Sequence, residues 1–283
     1  MTTTEQRVAP TALVTGASSG IGRETARLLA ARGYRVFGTS RRDHPDDHGV
    51  TMLRLDVCSE ESVAACLDEI YTRTDHLDLL VNNAGVMHEG FAEETTLEEA
   101  ARVFDTNLFG VARVTNAVLP GMRAMRRGRI VNVGSLAAWV GEPGESYYAA
   151  SKAALARYTE ALRHEVWHLG ICVSLVEPGV FATGVLDVAI TASRRIPDYD
   201  GAREASHDVL HQSLQRGADP RKVAELIVRI AHERSPKLRY GAGRDSRWLP
   251  HLRTLVPQRA FDYLLRRSFG LPKGNRDKNR PET

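Results

Sequence analysis

Short apolar runs of strand length alternate along the chain with segments in which apolar residues recur every three or four positions. The runs predict β-strands, and the recurring positions predict amphipathic helices. Because the strands are apolar on both faces, the pattern favours a parallel sheet covered by helices on both sides. Strands are predicted at 11–15, 34–39, 52–57, 77–82, 129–133, 171–176 and 238–240, and helices at 21–32, 60–73, 97–126, 146–169 and from Asp219-Pro220 onwards.

The regular alternation weakens in two places. Pro120 and Gly121 could end the helix at 97–126 early, because proline breaks helical hydrogen bonding. Residues 181–216 are irregular and rich in turn residues, and two short helices are expected on either side of Pro257. We expect an N-terminal tail at 1–10, one α/β domain at 11–245, a helical C-terminal extension at 246–274 and a disordered tail at 275–283.

Composition adds few constraints. The chain has 283 residues, 42% of them hydrophobic and 26% charged, which is typical of a soluble globular protein. A chain of this length can bury a hydrophobic core without disulfides or a structural metal. Cys58, Cys66 and Cys172 are odd in number and lack metal-ligand spacing, so we predict free thiols, a reducing compartment and no metal site. The chain shows neither a signal peptide nor an apolar run of about 18 residues, and we expect a cytoplasmic protein without a transmembrane span.

The charge is unevenly distributed. The net charge of +3 is too small to indicate a nucleic-acid partner, but residues 221–283 carry 16 Lys and Arg against 6 Asp and Glu. A solvated surface and tail is the simplest interpretation of this basic segment. Its amphipathic character also permits weak contact with an anionic membrane.

A glycine-rich turn joins the first predicted strand to the first predicted helix. Glycines there allow a tight turn and close approach of a diphosphate, and the helix N-terminus offers free N–H groups. The spacing is G-x-x-x-G-x-G rather than the commoner G-x-G-x-x-G. The predicted phosphate-binding residues are Gly16, Ser18, Ser19, Gly20, Ile21 and Gly22.

The end of the second predicted strand indicates which dinucleotide binds. An NAD site has an acidic residue near this position, but here Ser40, Arg41 and Arg42 precede the first acid, Asp43. Guanidinium groups bind phosphate well, whereas a carboxylate would repel the 2′-phosphate of NADP. We therefore predict NADP(H), with Ser40 and Arg41 as phosphate ligands and Arg42 in support.

Three motifs together resemble the short-chain dehydrogenase/reductase family: TGASSGIG at 15–22, NNAG at 82–85 and YAASK at 148–152. The resemblance covers roughly residues 10–240. It implies a Rossmann-type, doubly wound parallel sheet of seven strands, an oxidoreductase acting on CH–OH and C=O groups, and a homodimer or homotetramer. It also implies that Asp56 and Val57 flank the adenine, that Asn83, Ala84 and Gly85 line the ribose, and that Pro178, Gly179, Val180 and Thr183 meet the nicotinamide.

The catalytic prediction rests on Tyr148 and Lys152, which share a helix face, and on Ser135 at the end of the preceding strand. Carbonyl reduction needs a proton and hydrogen-bond donors at the carbonyl oxygen. We expect an adjacent ammonium to lower the pKa of the Tyr148 phenol, and Ser135 to hold the substrate oxygen. By the resemblance, Lys152 also grips the nicotinamide ribose, Tyr148 lies beside that ribose, and Asn107 supports a water that links the lysine to solvent.

The substrate pocket is expected to be largely apolar, with Met87, Ala137, Trp139 and Phe181 joining Ser135 and Tyr148 in its wall. Leu186 is a further candidate, and His88 and Glu142 are expected near the mouth as surface residues. Such a pocket favours a lipophilic ketone, aldehyde or alcohol. The C-terminal extension is similar to that of hydroxysteroid- and retinol-dehydrogenase-like members, and we expect it to cap the pocket.

Two other functions stay open. One is a ketoreductase acting on carrier-bound 3-ketoacyl thioesters, for which Arg123, Arg126, Arg127 and Arg129 could supply a basic patch beside the pocket. The other is a non-enzymatic regulatory protein that binds NADP(H).

Overall fold

A computed structural model describes residues 9–184 and 189–271 of the chain. Leu186, most of the expected N-terminal tail and the expected disordered tail at 275–283 lie outside these residues. Nine strands are described: β1 Thr11–Val14, β2 Arg35–Ser40, β3 Val50–Arg54, β4 Leu79–Asn82, β5 His88–Glu89, β6 Gly128–Val133, β7 Ile171–Pro178, β8 Ile190–Thr191 and β9 Arg239–Ala242.

Seven of these strands form one parallel sheet in the order β3-β2-β1-β4-β6-β7-β9, which confirms the predicted fold class. β1 pairs with β2 on one side and with β4 on the other, so the strand order reverses beside it. In such sheets a crevice opens beyond the carboxyl ends of the strands at the point of reversal. Strands β5 and β8 pair separately, a small sheet that the sequence pattern did not predict.

The described helices are α1 Gly20–Ala31, α2 Glu60–Tyr71, α3 Leu97–Phe104, α4 Val111–Met125, α5 Ser146–Val166, α6 Asp200–Gln215, α7 Arg221–His232, α8 Asp245–Leu255 and α9 Gln258–Ser268. Apolar residues of α1 and α7 cover one face of the sheet, and those of α2, α4 and α5 cover the other. Within residues 9–184 and 189–271, no helix is both long and apolar enough to cross a membrane.

A buried chain of polar side chains links the sheet to the helices on one face. Asn82 Nδ2 donates hydrogen bonds to Asn132 Oδ1 at 2.9 Å and to Thr115 Oγ1 at 3.0 Å. Asn132 Nδ2 donates in turn to Thr159 Oγ1 at 2.9 Å. Because buried polar groups without partners are costly, this network aligns β4 and β6 with α4 and α5.

The single helix predicted at 97–126 is divided in the structure. A π-helical turn at Asp105–Gly110 separates α3 from α4, and hydrophobic periodicity does not reveal such a turn. Pro120 lies inside α4 on its exposed side, and the helix continues to Met125 rather than ending early. The turn matters for the site because it carries Asn107.

Helix α6 lies in the segment that looked irregular in the sequence. It has 16 residues, of which only Ser206 is buried, so it presents no broad apolar face to the core. Val209, Leu210, Ser213 and Leu214 face a cavity beyond the sheet edge instead. Its half-exposed position explains why the apolar pattern did not identify it.

Candidate active site

A cavity of about 980 Å³ opens at the carboxyl ends of the central strands. It contains nearly all of the residues that the sequence placed in a cofactor site. Those that line it are Gly16, Ser18, Ser19, Gly20, Ile21, Ser40, Arg41, Arg42, Asp56, Val57, Asn83, Ala84, Gly85, Tyr148, Lys152, Pro178, Gly179, Val180 and Thr183. Gly22 is buried beneath the cavity and does not line it.

The glycine turn is held by close backbone approaches. Gly16 has φ +65°, and a Cβ on it would lie 2.9 Å from Ala84 Cα. A Cβ on Gly22 would collide with the carbonyl oxygen of Gly16. Asn83 Nδ2 donates to the carbonyl oxygens of Thr15 and Gly16, both at 3.0 Å. Asn83 therefore clamps the turn through its side chain, besides lining the cavity.

The N-terminus of α1 opens into the cavity. Ser19 precedes the helix, but its side chain makes no capping hydrogen bond, and the first turn contains no acidic residue. The first N–H groups and the positive end of the helix dipole are therefore free for an anion. A tight glycine turn followed by an uncapped helix fits the diphosphate of a dinucleotide.

The cavity wall after β2 is basic. Arg41 and Arg42 are exposed, and neither forms an ion pair with an acidic residue in the described ranges. The nearby carboxylate of Asp47 is engaged by Arg27 at 2.8 Å. Ser40 Oγ accepts a hydrogen bond from the Arg42 N–H at 3.2 Å, which orders the turn after β2. Both guanidinium groups are consequently available to an anionic ligand.

Tyr148, Lys152 and Ser135 meet at the opposite end of the cavity. Lys152 Nζ lies 5.8 Å from the centroid of the Tyr148 ring and donates to the Val133 carbonyl oxygen at 3.2 Å. Ser135 Oγ accepts a hydrogen bond from the Ala137 N–H at 3.1 Å, which fixes the hydroxyl at the end of β6. The three predicted side chains therefore converge on one space.

The pKa of the Tyr148 phenol differs from the sequence expectation. Burial raises it to about 12, the Ser135 hydroxyl opposes that rise, and the Glu145 and Glu142 carboxyls add to it. Burial also lowers the pKa of Lys152 to about 8. Desolvation is thus the largest influence on the phenol, and the net shift is opposite in direction to the one expected from the lysine alone. Near neutral pH the tyrosine is a neutral phenol and can donate a proton.

Asn107 is fully buried and does not line the cavity. Its Oδ1 accepts from the Val86 N–H and its Nδ2 donates to the Val86 carbonyl, both at 2.9 Å, and Nδ2 also donates to Ser151 Oγ at 3.0 Å. A Cβ on Gly85 would lie 3.1 Å from Asn107 Oδ1 and 3.6 Å from Lys152 Nζ. The amide thus holds the segment after β4 against α5, close to the lysine.

The structure places all but one of the side chains predicted for the substrate wall at the cavity. Met87, Ala137 and Phe181 line the cavity, but Trp139 does not. Trp139 Nε1 donates to Glu177 Oε1 at 2.9 Å, and the Arg239 guanidinium lies 4.8 Å from the ring centroid. The indole is therefore turned away from the cavity because Glu177 satisfies its N–H.

Several lining residues were not found from the sequence. The α6 residues Val209, Leu210, Ser213 and Leu214 follow a helical stripe that could have suggested one inward face, whereas nothing local marks Phe269, just after α9. Glu142 and Glu145 also line the cavity, so Glu142 is not simply a surface residue. His88 is fully buried rather than exposed, and its Nε2 lies 3.2 Å from Thr95 Oγ1.

Three side chains near this end bring possible metal ligands together. Glu89 of β5 and His207 and His211 of α6 each place one ligand atom within 4.8 Å of the others. His211 Nε2 lies 3.3 Å from Glu89 Oε2, and the two imidazole rings stack with centroids 3.8 Å apart. The prediction of no metal site rested on cysteine spacing, which cannot detect a group assembled from such distant segments.

Comparison with known proteins identifies relatives over most of the chain. The model of the short chain dehydrogenase family matches residues 10–192. A 3-ketodihydrosphingosine reductase of Bacteroides thetaiotaomicron is 38% identical over 253 residues, covering 84% of this chain and 92% of the relative. The 3-oxoacyl-(acyl-carrier-protein) reductase FabG of Vibrio cholerae is 35% identical over 240 residues, covering 82% of this chain and 92% of that protein.

A third relative and one solved structure agree with these matches. Retinol dehydrogenase 8 of Bos taurus is 36% identical over 258 residues, covering 81% of this chain and 80% of that protein. A crystal structure of a short-chain dehydrogenase from Streptomyces avermitilis superposes with a TM-score of 0.79 at 33% identity, covering 93% of this chain and 98% of the other. The family resemblance seen in the sequence is confirmed: the chain belongs to the short-chain dehydrogenase family, whose members are nicotinamide-dependent oxidoreductases acting on CH–OH and C=O groups.

Proposed function

We propose that the protein is an NADP(H)-dependent oxidoreductase that interconverts a lipophilic ketone or aldehyde with its alcohol. One observation carries this proposal: Tyr148, Lys152 and Ser135 share a single cavity with the open N-terminus of α1 and with Arg41. A cofactor bound along that cavity would have its phosphates at one end and a proton donor at the other.

The residues divide the chemistry between them. A bound reduced nicotinamide supplies the hydride. Tyr148 donates its phenolic proton to the carbonyl oxygen, and Ser135 donates a hydrogen bond to the same oxygen as negative charge develops there. Lys152 stabilises the phenolate that remains, because an adjacent ammonium favours the ionised phenol. Asn107 acts as a positioning residue, since it holds the backbone beside the lysine.

The preference for NADP(H) rests on Ser40, Arg41 and Arg42. Their position on the cavity wall and the unpaired state of both guanidinium groups within the described residues suit a 2′-phosphate. Charge-assisted bidentate hydrogen bonds from arginine are well matched to phosphate oxygens. We assign Ser40 and Arg41 as its ligands.

A lipophilic substrate suits the far wall of the cavity, which includes Met87, Phe181, Leu210, Leu214 and Phe269. Two relatives carry the names of lipid-active enzymes, a 3-ketodihydrosphingosine reductase and a retinol dehydrogenase. Apolar lining with few polar groups favours apolar ligands of that general character.

We assign the C-terminal extension a capping role. Phe261 and Phe269 are buried, and Phe269 reaches the cavity wall. Helix α8 of the extension exposes Trp248 and Leu255, at 69% and 80% of their surface, beside several arginines, which also suits weak contact with an anionic membrane. The predicted domain boundaries, cytoplasmic location and homodimeric or homotetrameric assembly stay predictions.

Reduction of carrier-bound 3-ketoacyl groups is the second candidate, favoured by the relative from Vibrio cholerae. The basic patch expected for a carrier is not beside the cavity. Arg123 and Arg126 lie at the end of α4, and Arg127 and Arg129 lie around the start of β6. All four are therefore at the amino-terminal ends of the strands, whereas the cavity opens at the carboxyl ends. Arg129 donates to backbone carbonyls of Ile230 and Glu233. A carrier would need another docking surface.

The test is a consumption assay with NADPH over neutral aliphatic ketones, retinoids, steroids and thioester substrates. The proposal expects turnover of free lipophilic carbonyls, with a higher kcat/KM than for carrier-bound ones. Preferential turnover of carrier-bound substrates favours the second candidate. Binding of NADPH without turnover of any carbonyl supports a non-enzymatic role and contradicts the proposal.

A further inference from the structure

Two carboxyl groups line the substrate end of the cavity beside the proposed proton donor. Glu145 is the residue immediately before α5, and Glu142 lies three positions earlier in the loop from β6. Glu145 precedes the first residue of the helix that carries Tyr148 and Lys152. Both carboxyls are close enough to Tyr148 for their charges to raise the pKa of its phenol.

The Glu145 side chain lines the cavity without a protein partner among the described residues. Its residue is only 5% exposed, and no residue in 9–184 or 189–271 donates a hydrogen bond to its side chain or forms an ion pair with it. The Glu142 carboxyl likewise has no such partner in the same ranges. Buried carboxylates are normally paired, because desolvation of an unpaired charge is costly. An unpaired buried acid that faces a ligand cavity suggests that its partner is the ligand.

The electrostatic surroundings of this carboxyl are negative. The charges that act on Glu145 are those of Glu142 and Glu89, and together with burial they raise its pKa to about 8. Burial also raises the pKa of Glu142. Glu89 has a histidine partner, His211, at 3.3 Å, but that pair lies outside the cavity lining. Glu145 is therefore mostly protonated near pH 7, and a cation beside it would favour the carboxylate and supply the counter-charge that burial otherwise makes costly.

The backbone holds both acids in place. The Glu145 N–H donates to the Glu142 carbonyl at 3.2 Å, and the Gly90 N–H donates to the Gly144 carbonyl at 2.7 Å. Gly144 has φ +85°, a conformation that favours glycine. The Ala149 N–H donates to the Glu145 carbonyl at 2.8 Å and ties the residue to the helix. A rigid pair of acids gives a subsite of defined position.

We infer that Glu145 and Glu142 form a subsite for a cationic nitrogen, and that the substrate is a lipophilic ketone with a protonated amine close to its carbonyl carbon. The inference rests on the proposed function, because the carbonyl must face Tyr148 for the amine to reach Glu145. The ammonium supplies the counter-charge that the protein lacks, and the apolar wall takes the alkyl chain. An anionic group at the same place would be repelled.

A matched substrate pair tests the subsite. One compound is 1-dimethylamino-2-dodecanone, and the other is its carbon isostere, in which CH replaces the protonated nitrogen. With NADPH at pH 7, the wild-type protein should show a kcat/KM at least about tenfold higher for the amine. Glu145→Gln should bring the ratio of the two kcat/KM values close to one, chiefly by raising KM for the amine more than for the isostere.

Controls separate the possible failures. Glu142→Gln changes a loop residue outside the helix and should also reduce the ratio, which keeps the test valid if Glu145→Gln folds poorly. Glu165→Gln, at an exposed position of α5, should leave the ratio of kcat/KM between amine and isostere unchanged. Equal turnover of both compounds by the wild-type protein overturns the subsite and leaves the proposed function standing. Failure to reduce either compound or any neutral ketone overturns the proposed function, and the subsite with it.

Discussion

At the scale of single residues, the site depends on how burial changes ordinary side chains. The Tyr148 phenol has a pKa of about 12 and the Lys152 ammonium a pKa of about 8, and desolvation is the largest cause of each shift. The two shifts move the pKa values apart, so the phenol keeps its proton more firmly and the lysine loses its proton more readily. A nearby positive charge on an oxidised cofactor would favour the phenolate and reverse part of the first shift.

Tyr148→Phe tests the proton donor. It removes the hydroxyl and keeps the ring, so we expect kcat to fall by about 10²–10⁴-fold, the usual contribution of general acid–base catalysis. NADPH affinity should stay within about twofold, measured by fluorescence titration. Tyr147→Phe is a matched control, because that ring packs edge-on against His88 and does not line the cavity. An active Tyr148→Phe protein would contradict the assignment.

Arg41→Ala tests recognition of the 2′-phosphate. Hydrogen bonds to charged groups contribute about 1.5–3 kcal/mol, so Kd for NADPH should rise by roughly 10- to 100-fold. Kd for NADH should change little, because NADH lacks that phosphate. Arg32→Ala, an exposed arginine at the end of α1, should alter neither constant. Equal losses for both cofactors in a titration would show that Arg41 does not read the phosphate.

At the scale of elements, the structure adds segments that extend over the sheet edge. The π-helical turn at Asp105–Gly110 places Asn107 against the backbone after β4, and α6 with the end of α9 covers the substrate side of the cavity. Helices α6 and α9 each bury only one residue, so neither has the broad buried apolar face by which a sequence pattern identifies a helix.

Phe269→Ala tests whether the extension forms part of the substrate pocket. The phenyl ring is 7% exposed and lines the cavity, so its loss should raise KM for long-chain ketones by about tenfold or more, from the apolar area no longer buried. KM for a four-carbon ketone should change much less. Tyr263→Ala, at an exposed position of the preceding helix α9, serves as the control. Unchanged KM values for both ketones would leave the extension without a role in substrate binding.

At the scale of the whole molecule, the cavity has a measurable cost in stability. The pKa of Glu145 rises from 4.5 to about 8 on folding, so the folded protein holds this proton more tightly than the unfolded chain does. The free energy of unfolding therefore falls as pH rises from about 4.5 towards 8. In this range the unfolded chain is stabilised by ionisation of the carboxyl, whereas the folded protein still holds the proton.

Glu145→Gln should remove that pH-dependent cost. We expect the variant to match the wild-type stability near pH 5 and to exceed it by about 1–3 kcal/mol at pH 8, given roughly 1.4 kcal/mol for each unit of pKa shift. Urea unfolding at the two pH values measures the difference. Glu165→Gln should show no such trend. A difference that is the same at both pH values would show that the Glu145 carboxyl does not titrate in this way.

Local patterns in the sequence were sufficient for the sheet, the glycine turn and the spacing of Tyr148 and Lys152, because strand alternation, helix periodicity and backbone φ depend on neighbouring residues. Only the tertiary structure decided the raised pKa of Tyr148, the orientation of Trp139 towards Glu177, and the electrostatic effect of Glu89 on Glu145. Burial and electrostatic interaction depend on which distant segments pack together, and no local pattern encodes that packing.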